Sequence, residues 1–283
     1  MERQLDIVMC FDRRHVPGLL AALRSMARHC ARPEALDFHF VVAVGEAAAL
    51  RADLERAFPS PSPSEPSFQY EIVEFAPPAS LLAYIESGRA FTYADPAAHA
   101  LNFSRFHLHR LFPELGKIIY LDADVIVQGD LAELDRLATL DAFPLAAVPV
   151  RLWREWTDGF EADSVHLPLI DMNAPMFNAG VYVTDLERWR EEWAAKVEAW
   201  IDRLRPTPGD FAFGTQSVMN LVFNNQFEHL PASWNVRALG HDTDLPRDTL
   251  ATADLLHWAG RHKPWLPTGL YREYWLPYAT ESI

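Results

Sequence analysis

The feature that most constrains the fold is an apolar run with two aspartates in it, at residues 117–127. Its sequence is Lys-Ile-Ile-Tyr-Leu-Asp-Ala-Asp-Val-Ile-Val. An apolar stretch of this length is typical of a strand buried on both faces, as in the parallel sheet of an α/β protein. Carboxylates are costly in such a strand unless they have a partner. The run therefore predicts a central strand with Asp122 and Asp124 where it ends.

These two aspartates are the first candidates for a functional site. Residues two apart on a strand point to the same side, so Asp122 and Asp124 can face a common ion. Carboxylate oxygens suit Mg²⁺ or Mn²⁺, and either ion can bridge the phosphate oxygens of a substrate. The alternative is a turn at the strand end with two solvated aspartates. For an Asp-x-Asp pair alone the turn is favoured, so other parts of the chain must decide.

Composition limits the classes of partner. The chain has 283 residues, of which 49% are hydrophobic, and can bury a large core. Its net charge of −14 argues against nucleic acid and against an anionic membrane as the main partner. We expect no transmembrane segment and no secretion signal. Cys10 and Cys30 have no metal or redox spacing, so we expect a cytoplasmic protein, with a transient visit to a membrane as the alternative.

Strands and helices are predicted to alternate along the chain, which indicates an α/β fold. The predicted strands cover residues 5–11, 38–44, 68–75, 117–127, 145–150, 177–183, 227–231 and 254–257. The predicted helices cover residues 17–29, 47–58, 81–86, 102–112, 131–140, 185–204 and 214–223. No internal repeat interrupts this pattern, so we expect a single domain over residues 1–283.

Polar and small residues near strand ends extend the candidate site. Ligands bind beyond the carboxyl ends of strands in open α/β sheets, so Asp12 is placed to contact one, and a helix cap is the equal alternative. Arg105 is a solvated charge or a cation aimed at phosphate, and its local sequence favours the former. His257 offers a third metal ligand, although a lone histidine is more often structural. Gly260 and Lys263 can serve a phosphate through a backbone N–H and an ammonium.

Four motifs together resemble the retaining sugar-nucleotide glycosyltransferases of the glycogenin and lipopolysaccharide galactosyltransferase type, which have the GT-A fold. The motifs, in family order, are Lys117-Ile-Ile-Tyr-Leu-Asp-Ala-Asp124, Phe177-Asn-Ala-Gly180 with Asp185-Leu-Glu-Arg-Trp-Arg190, Gln216 at a helix start, and His257-x-x-Gly260-x-x-Lys263-Pro-Trp265. The last is the most specific, because five residue types stand at the expected offsets. The resemblance implies one GT-A domain with a Rossmann-like mixed sheet flanked by helices. Residues 1–130 would be mainly the nucleotide-binding half, and residues 131–283 mainly the sugar and acceptor half.

The resemblance also implies an activity, the transfer of a hexose from a UDP-sugar to an acceptor hydroxyl of a glycan or another molecule, with retention. Asp122, Asp124 and His257 would hold Mn²⁺, with Mg²⁺ as the alternative. Gln216 would lie near the anomeric carbon. The remaining implied donor contacts are Asp12 at the base, Arg105 facing the donor, Asn178 and Ala179 along the sugar, and Gly260 and Lys263 at the diphosphate.

One departure from the family bears on the donor. Relatives commonly carry Asp-Gln-Asp where this chain has Thr215-Gln216-Ser217. The first of those aspartates contacts hydroxyls of the donor sugar, so Thr215 weakens the case for galactose or glucose. The alternative to an enzyme is a non-catalytic nucleotide-sugar-binding protein of the same fold. A sugar-nucleotide pyrophosphorylase would need a Gly-rich phosphate loop, and residues 7–18 contain only Gly18.

The acceptor site is placed on an irregular segment, residues 151–175. Long irregular stretches within a compact domain are often lids or binding loops. Trp153 and Trp156 offer aromatic faces on which a sugar can stack. The alternative is an ordinary surface loop with two packed tryptophans.

Overall fold

The computed structural model of the protein describes residues 4–59, 69–87, 100–150, 164–204 and 214–279. Its strands are β1 (Leu5–Cys10), β2 (Leu36–Ala43), β3 (Gln69–Phe75), β4 (Lys117–Leu121), β5 (Val125–Val127), β6 (Leu145–Val150), β7 (Met176–Asp185), β8 (Glu228–His229) and β9 (Leu255–His257). Its α-helices are α1 (Val16–His29), α2 (Ala47–Ala57), α3 (Ala79–Ser87), α4 (Leu108–Leu111), α5 (Leu131–Leu137), α6 (Leu186–Arg188), α7 (Ala194–Leu204), α8 (Thr215–Val222), α9 (Arg247–Ala251) and α10 (Arg272–Ala279).

Shorter turns connect several of these elements. The 3₁₀ turns cover Arg13–His15, Pro33–Ala35, Phe103–Phe106, Leu167–Leu169 and Ala232–Asn235, and a π-helical turn at Trp189–Trp193 joins α6 to α7. Asp185 caps the start of α6, because its carboxylate accepts from the backbone N–H groups of Glu187 and Arg188 at 2.8 and 3.4 Å. The helix predicted to begin at residue 185 therefore starts at a side-chain cap.

The described strands form two sheets. The larger has the order β3-β2-β1-β4-β7-β6-β8, and β5 pairs with β9 in a separate two-stranded sheet. β3, β2, β1 and β4 run parallel, whereas β7 is antiparallel to both of its neighbours. The mixed α/β sheet flanked by helices is therefore confirmed. The carboxyl ends of β1 and β4 and the amino end of β7 meet at one edge.

Both faces of the large sheet are buried, which explains the uninterrupted apolar runs. Ile7 and Ile119 contribute to the core that packs under α1 and α2, and Val8 and Tyr120 contribute to the core on the opposite face. That second core holds many of the aromatic residues, including a stacked pair of Trp193 and Phe223 whose ring centres lie 4.6 Å apart. Trp189 and Trp193 lie in this core, and Trp200 packs against it.

The predicted central strand is wrong in one respect, because it is two strands in two different sheets. β4 ends at Leu121, and the chain bends through Asp122, Ala123 and Asp124 before β5 begins. The backbone N–H of Asp122 still donates to the carbonyl of Gly180, a residue of β7, at 2.7 Å. From Val125 onward the chain pairs with β9.

Two predicted helices are also shorter than expected. Residues 102–112 form a 3₁₀ turn and then α4, and the Nε of Arg105 donates at 3.0 Å to the carbonyl of Asn102. That carbonyl would accept from residue 106 in a continuous α-helix, so the arginine competes with helix formation. The helix expected over residues 131–140 ends at Leu137, and Leu140 adopts a left-handed φ of 58°.

Among the residues that the structure describes, none of the helices combines the length and apolar character needed to cross a membrane.

A histidine with three acidic neighbours lies at the opposite end of the parallel strands from the bend. His39 is buried, and its ring nitrogens lie 2.6 Å from Glu71 Oε1 and 3.2 Å from Asp6 Oδ1. Asp37 completes the group, and the ligand-type atoms of Asp6, Asp37 and His39 lie within 4.8 Å of one another. Since carboxylates already engage both imidazole nitrogens, we interpret the group as an ion-pair cluster that ties β1, β2 and β3 together. Burial alone would lower the pKa of His39, but the bonds to Asp6 and Glu71 raise it above its ordinary value.

We expect the His39 cluster to make the free energy of unfolding depend on pH. Because the pKa of His39 is raised by folding, its contribution is complete below the unfolded value of about 6.5. It is lost as the pH rises through the folded value. Urea titrations of the wild type and of His39→Gln over a pH series measure it. The other histidines titrate in both proteins, so the difference between the two curves isolates His39, and parallel curves would contradict the assignment.

Candidate functional site

The three predicted metal ligands lie together at the edge where β4 ends. Asp122 follows β4, Asp124 precedes β5 and His257 is the last residue of β9. Each offers a ligand-type atom, and these atoms lie within 4.8 Å of one another. The Nε2 of His257 is 3.5 Å from Asp124 Oδ1 and 3.9 Å from Asp122 Oδ2. The structure thus brings together residues that are more than 130 positions apart in the sequence.

Backbone hydrogen bonds hold this bend from both sides. The Asp122 N–H is bonded to Gly180 of β7, and the Asp124 carbonyl accepts from the Trp258 N–H at 2.9 Å. Val125 and His257 are direct partners in the β5–β9 ladder. The position of each candidate ligand is therefore set by regular pairing rather than by a flexible loop.

Two glycines allow neighbouring elements to approach the bend closely. A Cβ at Gly180 would lie 2.5 Å from Asp122 Oδ2 and from His257 Cε1, and a Cβ at Gly18 would lie 2.5 Å from the carbonyl oxygen of Ala123. Such distances are far below van der Waals contact, so any larger residue would displace the candidate ligands. Gly180 therefore admits the side chains of Asp122 and His257.

Asp124 is the more deeply buried of the two carboxylates. The ammonium of Lys263 bonds to its Oδ2 and also donates to the carbonyl of Trp258 at 2.9 Å. Burial alone would raise the pKa of Asp124, but Lys263 and His257 hold it well below its usual range. The carboxylate is therefore ionised and able to bind a cation. The predicted phosphate-binding lysine lies beside the candidate metal ligands.

Arg105 is buried, so the solvated charge that its local sequence favoured is wrong. Its side chain is 5% exposed, and its guanidinium donates to the carbonyl of Ala179 at 2.6 Å and to Asp122 Oδ1 at 3.2 Å. The guanidinium also lies 4.8 Å from the ring centre of Tyr120. The arginine therefore connects β7 to the bend.

Asp122 has its two oxygens in different environments. Oδ1 accepts from Arg105 and from the hydroxyl of Tyr120, each at 3.2 Å. Oδ2 faces His257, at the distance given above. The ring of Tyr120 stacks on Tyr182 with centres 4.6 Å apart, and the Tyr182 hydroxyl has no hydrogen-bond partner among the described residues. The donors on Oδ1 leave Oδ2 as the oxygen available to an ion.

The predicted sugar-binding residues form a second group next to the bend. Gln216, in the first turn of α8, accepts through Oε1 from Asn178 Nδ2 at 2.8 Å and from the Ala179 N–H at 3.4 Å. Asn235 is a member of this group that the sequence did not suggest. Its Nδ2 lies 3.3 Å from Asn178 Oδ1, and its Oδ1 lies 3.0 Å from Nδ1 of His257. No motif or strand-end position distinguishes this asparagine in the sequence.

Asp12 and Gly260 have structural roles that are visible without a ligand. Asp12 accepts from the backbone N–H of Arg14 at 2.8 Å and lies 3.1 Å from His15 Nδ1, so the cap that we considered is confirmed. Gly260 has a φ of 120°, and a Cβ there would lie 2.7 Å from the backbone of Gly240. Their contacts to a nucleotide stay predictions. Trp153 and Trp156 lie outside the described residues.

Comparisons with known proteins identify the family of this chain. The model of the family described as glycosyl transferase family 8 matches residues 6–269. Probable galacturonosyltransferase-like 10 from Arabidopsis thaliana is 28% identical over 271 residues, which cover 93% of this chain and 71% of that protein. Probable galacturonosyltransferase-like 8 from the same plant is 29% identical over 93% of this chain and 66% of its own length.

Solved structures show the same fold at lower identity. The galactosyltransferase LgtC, crystallised with donor and acceptor sugar analogues, superposes with a TM-score of 0.69 at 19% identity over 97% of this chain and 95% of its own. The glycosyltransferase GlyE of Streptococcus pneumoniae gives a TM-score of 0.66 at 21% identity. The alignment covers 99% of this chain but 61% of GlyE.

Removing the hydroxyl of Tyr120 should weaken metal binding without disturbing the ring stack. We expect Tyr120→Phe to lower the affinity for Mn²⁺ by about 10-fold, because residues that orient metal ligands typically contribute on that scale. Free Mn²⁺ measured by electron paramagnetic resonance during a titration gives the affinity. Tyr182→Phe is the matched control, since it removes an equally buried hydroxyl that has no described partner. Equal affinities for the wild type and Tyr120→Phe would contradict the role of this hydroxyl.

Proposed function

The chain belongs to glycosyl transferase family 8, and we propose that it is a metal-dependent, retaining glycosyltransferase that moves a hexose-type sugar from a UDP-sugar to an acceptor hydroxyl. The observation that carries the proposal is the meeting of Asp122, Asp124 and His257 beside Lys263. The GT-A fold supplies the frame, and the side chains at its edge supply the chemistry.

The residues at the bend fit a divalent ion. Two carboxylates and an imidazole suit Mn²⁺, and the oxygen ligands also suit Mg²⁺. Asp124 is ionised in its buried position, and Asp122 keeps Oδ2 available. When bound, such an ion acts as a Lewis acid that stabilises the charge on a departing diphosphate. We therefore assign Asp122, Asp124 and His257 as its ligands.

Lys263 is assigned to the diphosphate of the donor. Its ammonium lies beside Asp124 and is also held by the Trp258 carbonyl, so it is directed toward the metal ligands. A fixed cation at the place where negative charge develops stabilises the transition state, because little reorganisation is needed. The backbone N–H of Gly260 would add a donor to the same phosphates, and Asp12 would contact the base.

The contacts of Gln216 bear on the stereochemistry. A double displacement needs a nucleophile, usually a carboxylate, on the far face of the sugar. Gln216 is an amide whose oxygen already accepts two hydrogen bonds, and its neighbours Thr215 and Ser217 are buried and neutral. We therefore propose that the acceptor hydroxyl attacks on the same face as the leaving diphosphate, which departs with the electron pair of the broken bond and takes up the hydroxyl proton. Gln216 and Asn178 would position the sugar. Arg105 would act on the donor indirectly, by holding Asp122 and the Ala179 carbonyl.

The donor sugar is the open part of the assignment. Thr215 places a neutral hydroxyl where an acidic residue is common in the family, and the names of two relatives specify a galacturonosyl group. The carboxylate of a hexuronic acid would be repelled by an acidic neighbour and tolerated by a neutral one. We therefore place UDP-galacturonate beside UDP-galactose and UDP-glucose as candidate donors.

We also propose the division of roles between the two halves of the chain that the sequence led us to expect. Residues 1–130 would bind mainly the nucleotide, and residues 131–283 mainly the sugar and a glycan or other hydroxyl acceptor. The second candidate function is a non-catalytic binder of nucleotide sugars, motivated by Thr215 and Ser217. It shares the binding site and differs only in the absence of product.

A ligand-induced thermal shift tests the donor site. We expect UDP to raise the melting temperature only when Mn²⁺ is present, because the ion would hold the phosphates of UDP. Ligand at about 100 times its Kd stabilises the folded state by about 2.7 kcal/mol. Asp124→Ala should lose the shift, and Asp141→Ala, at an exposed aspartate outside the bend, should keep it. Shifts are compared within each variant, because losing the partner of Lys263 also changes the unliganded stability. A shift that is independent of Mn²⁺ or retained by Asp124→Ala would contradict the proposed ligands.

The configuration of the product tests the mechanism. With the preferred donor and an acceptor in hand, we expect the anomeric configuration of the transferred sugar to match that of the donor. Proton NMR of the product, recorded before any equilibration, reads this directly. An inverted product would overturn same-face attack, and donor binding without any product would favour the non-catalytic alternative.

A further inference from the structure

Asn235 is a buried amide that connects the sugar-binding group to the metal-binding group. Only 3% of its surface is exposed. The backbone around it is pinned to β9, because Val236 donates to the Leu255 carbonyl at 3.0 Å and accepts from the His257 N–H at 2.9 Å. The Asn235 side chain therefore lies at a fixed place between Asn178 and His257.

The orientation of Asn178 follows from two backbone donors. The N–H of Gly180 lies 3.1 Å from Asn178 Oδ1, and since a backbone N–H can only donate, the atom that it meets must be an acceptor. On the other side, the Ala179 N–H points at Gln216 Oε1, so Gln216 presents its carbonyl oxygen to Asn178. The amide nitrogen of Asn178 donates to that oxygen at 2.8 Å. Rotating Asn178 by half a turn would break both contacts.

Asn178 in turn orients Asn235. Because the oxygen of Asn178 faces Asn235 at 3.3 Å, the Asn235 atom opposite it must be the NH₂ group. Its carbonyl oxygen then points at the Nδ1 of His257, 3.0 Å away. An amide oxygen can only accept, so Nδ1 of His257 carries a proton. The nitrogen that remains for a ligand is Nε2, which faces Asp122 and Asp124.

We propose that Asn235 is a positioning residue that locks His257 in the tautomer with the proton on Nδ1, so that the Nε2 lone pair is directed at the cation site. The backbone N–H of Gly180 in β7 fixes the orientation of the Asn178 amide, and Asn178 fixes that of Asn235. Gln216 holds Asn178 from its other side. The metal-binding part of this inference rests on the proposed function, whereas the tautomer does not. An outer hydrogen bond that fixes the tautomer and ring orientation of a ligating histidine is a general device in metal sites.

The same series of hydrogen bonds couples the sugar-binding group to the metal-binding group. Asn178 lies against Gln216 on one side and orients the partner of His257 on the other. A change at Asn178 therefore alters the sugar contacts and the metal ligand together. Asn235 need touch neither the sugar nor the metal, and it lies buried between Asn178 and His257, which would.

The tautomer can be read in the protein without metal. Long-range proton–nitrogen NMR of the full chain labelled with ¹⁵N-histidine, at alkaline pH where the ring is neutral, distinguishes a protonated Nδ1 from a protonated Nε2. The chain has 11 histidines, and His257→Gln identifies the signal by its loss. We expect Nδ1 protonated and Nε2 unprotonated in the wild type. The opposite pattern at His257 in the wild type overturns the proposal.

Two substitutions of Asn235 separate the tautomer from general packing. Asn235→Leu removes the acceptor at similar volume, and we expect the proton to move to Nε2, where Asp124 can accept it. Asn235→Asp keeps an oxygen opposite Nδ1, and we expect the wild-type tautomer. Titration with Mn²⁺, followed by electron paramagnetic resonance of the free ion, should show about 10- to 100-fold weaker binding for Asn235→Leu. Asn235→Asp should bind Mn²⁺ more tightly than Asn235→Leu, because it keeps the acceptor for Nδ1 of His257 and loses only the NH₂ donor to Asn178.

The outcomes separate this inference from the proposed function. Wild-type tautomer and affinity in Asn235→Leu would overturn the role of Asn235. Equal losses in Asn235→Asp and Asn235→Leu would also overturn it, because a structural role does not distinguish an oxygen acceptor from an apolar side chain. If the wild type shows the expected tautomer but binds no Mn²⁺ even with UDP, the metal-dependent function fails, and with it the metal-binding part of the inference.

Discussion

The bend between β4 and β5 is the constraint on which the site depends. Through Leu121 the chain belongs to the large sheet, and from Val125 it belongs to the small one. Asp122 and Asp124 lie within this bend, which brings their carboxylates to the edge of the sheet, and the buried Asp124 is paired there with Lys263. One bond to Gly180 and one from Trp258 hold the two ends of the bend. His257 arrives there because β9 is the pairing partner of β5.

Most of the fold could be predicted from local sequence. Continuous apolar runs indicated strands covered on both faces, and β1, β2, β4 and β6 are such strands. The failures share a physical cause, since each involves a contact that is distant in sequence or made by a side chain. The central run divides because β9 pairs with its second part. The helix expected over residues 102–112 breaks where Arg105 turns back to Asn102 and reaches for Asp122.

The site was predictable where a side chain has a chemical signature and a strand-end position. Asp122, Asp124 and His257 met both conditions, and the resemblance to the glycosyltransferase family then favoured a metal site over the structural alternatives. The structure brings the three residues together. Arg105 was misjudged locally, because its burial depends on β7 and the bend. Asn235 was not found at all, since its importance comes only from the atoms on either side of it. Residues that orient ligands carry no pattern of their own, and a single sequence does not distinguish them from other buried amides.

Anomalous X-ray scattering from crystals grown with Mn²⁺ and UDP shows whether the bend holds a divalent ion. We expect a manganese peak within bonding distance of Asp122 Oδ2, of Asp124 and of Nε2 of His257, with the UDP phosphates beside it. The cluster of Asp6, Asp37 and His39 provides an internal comparison, because its atoms are similarly close. A peak at that cluster alone, or UDP bound at the bend without manganese, would contradict the account.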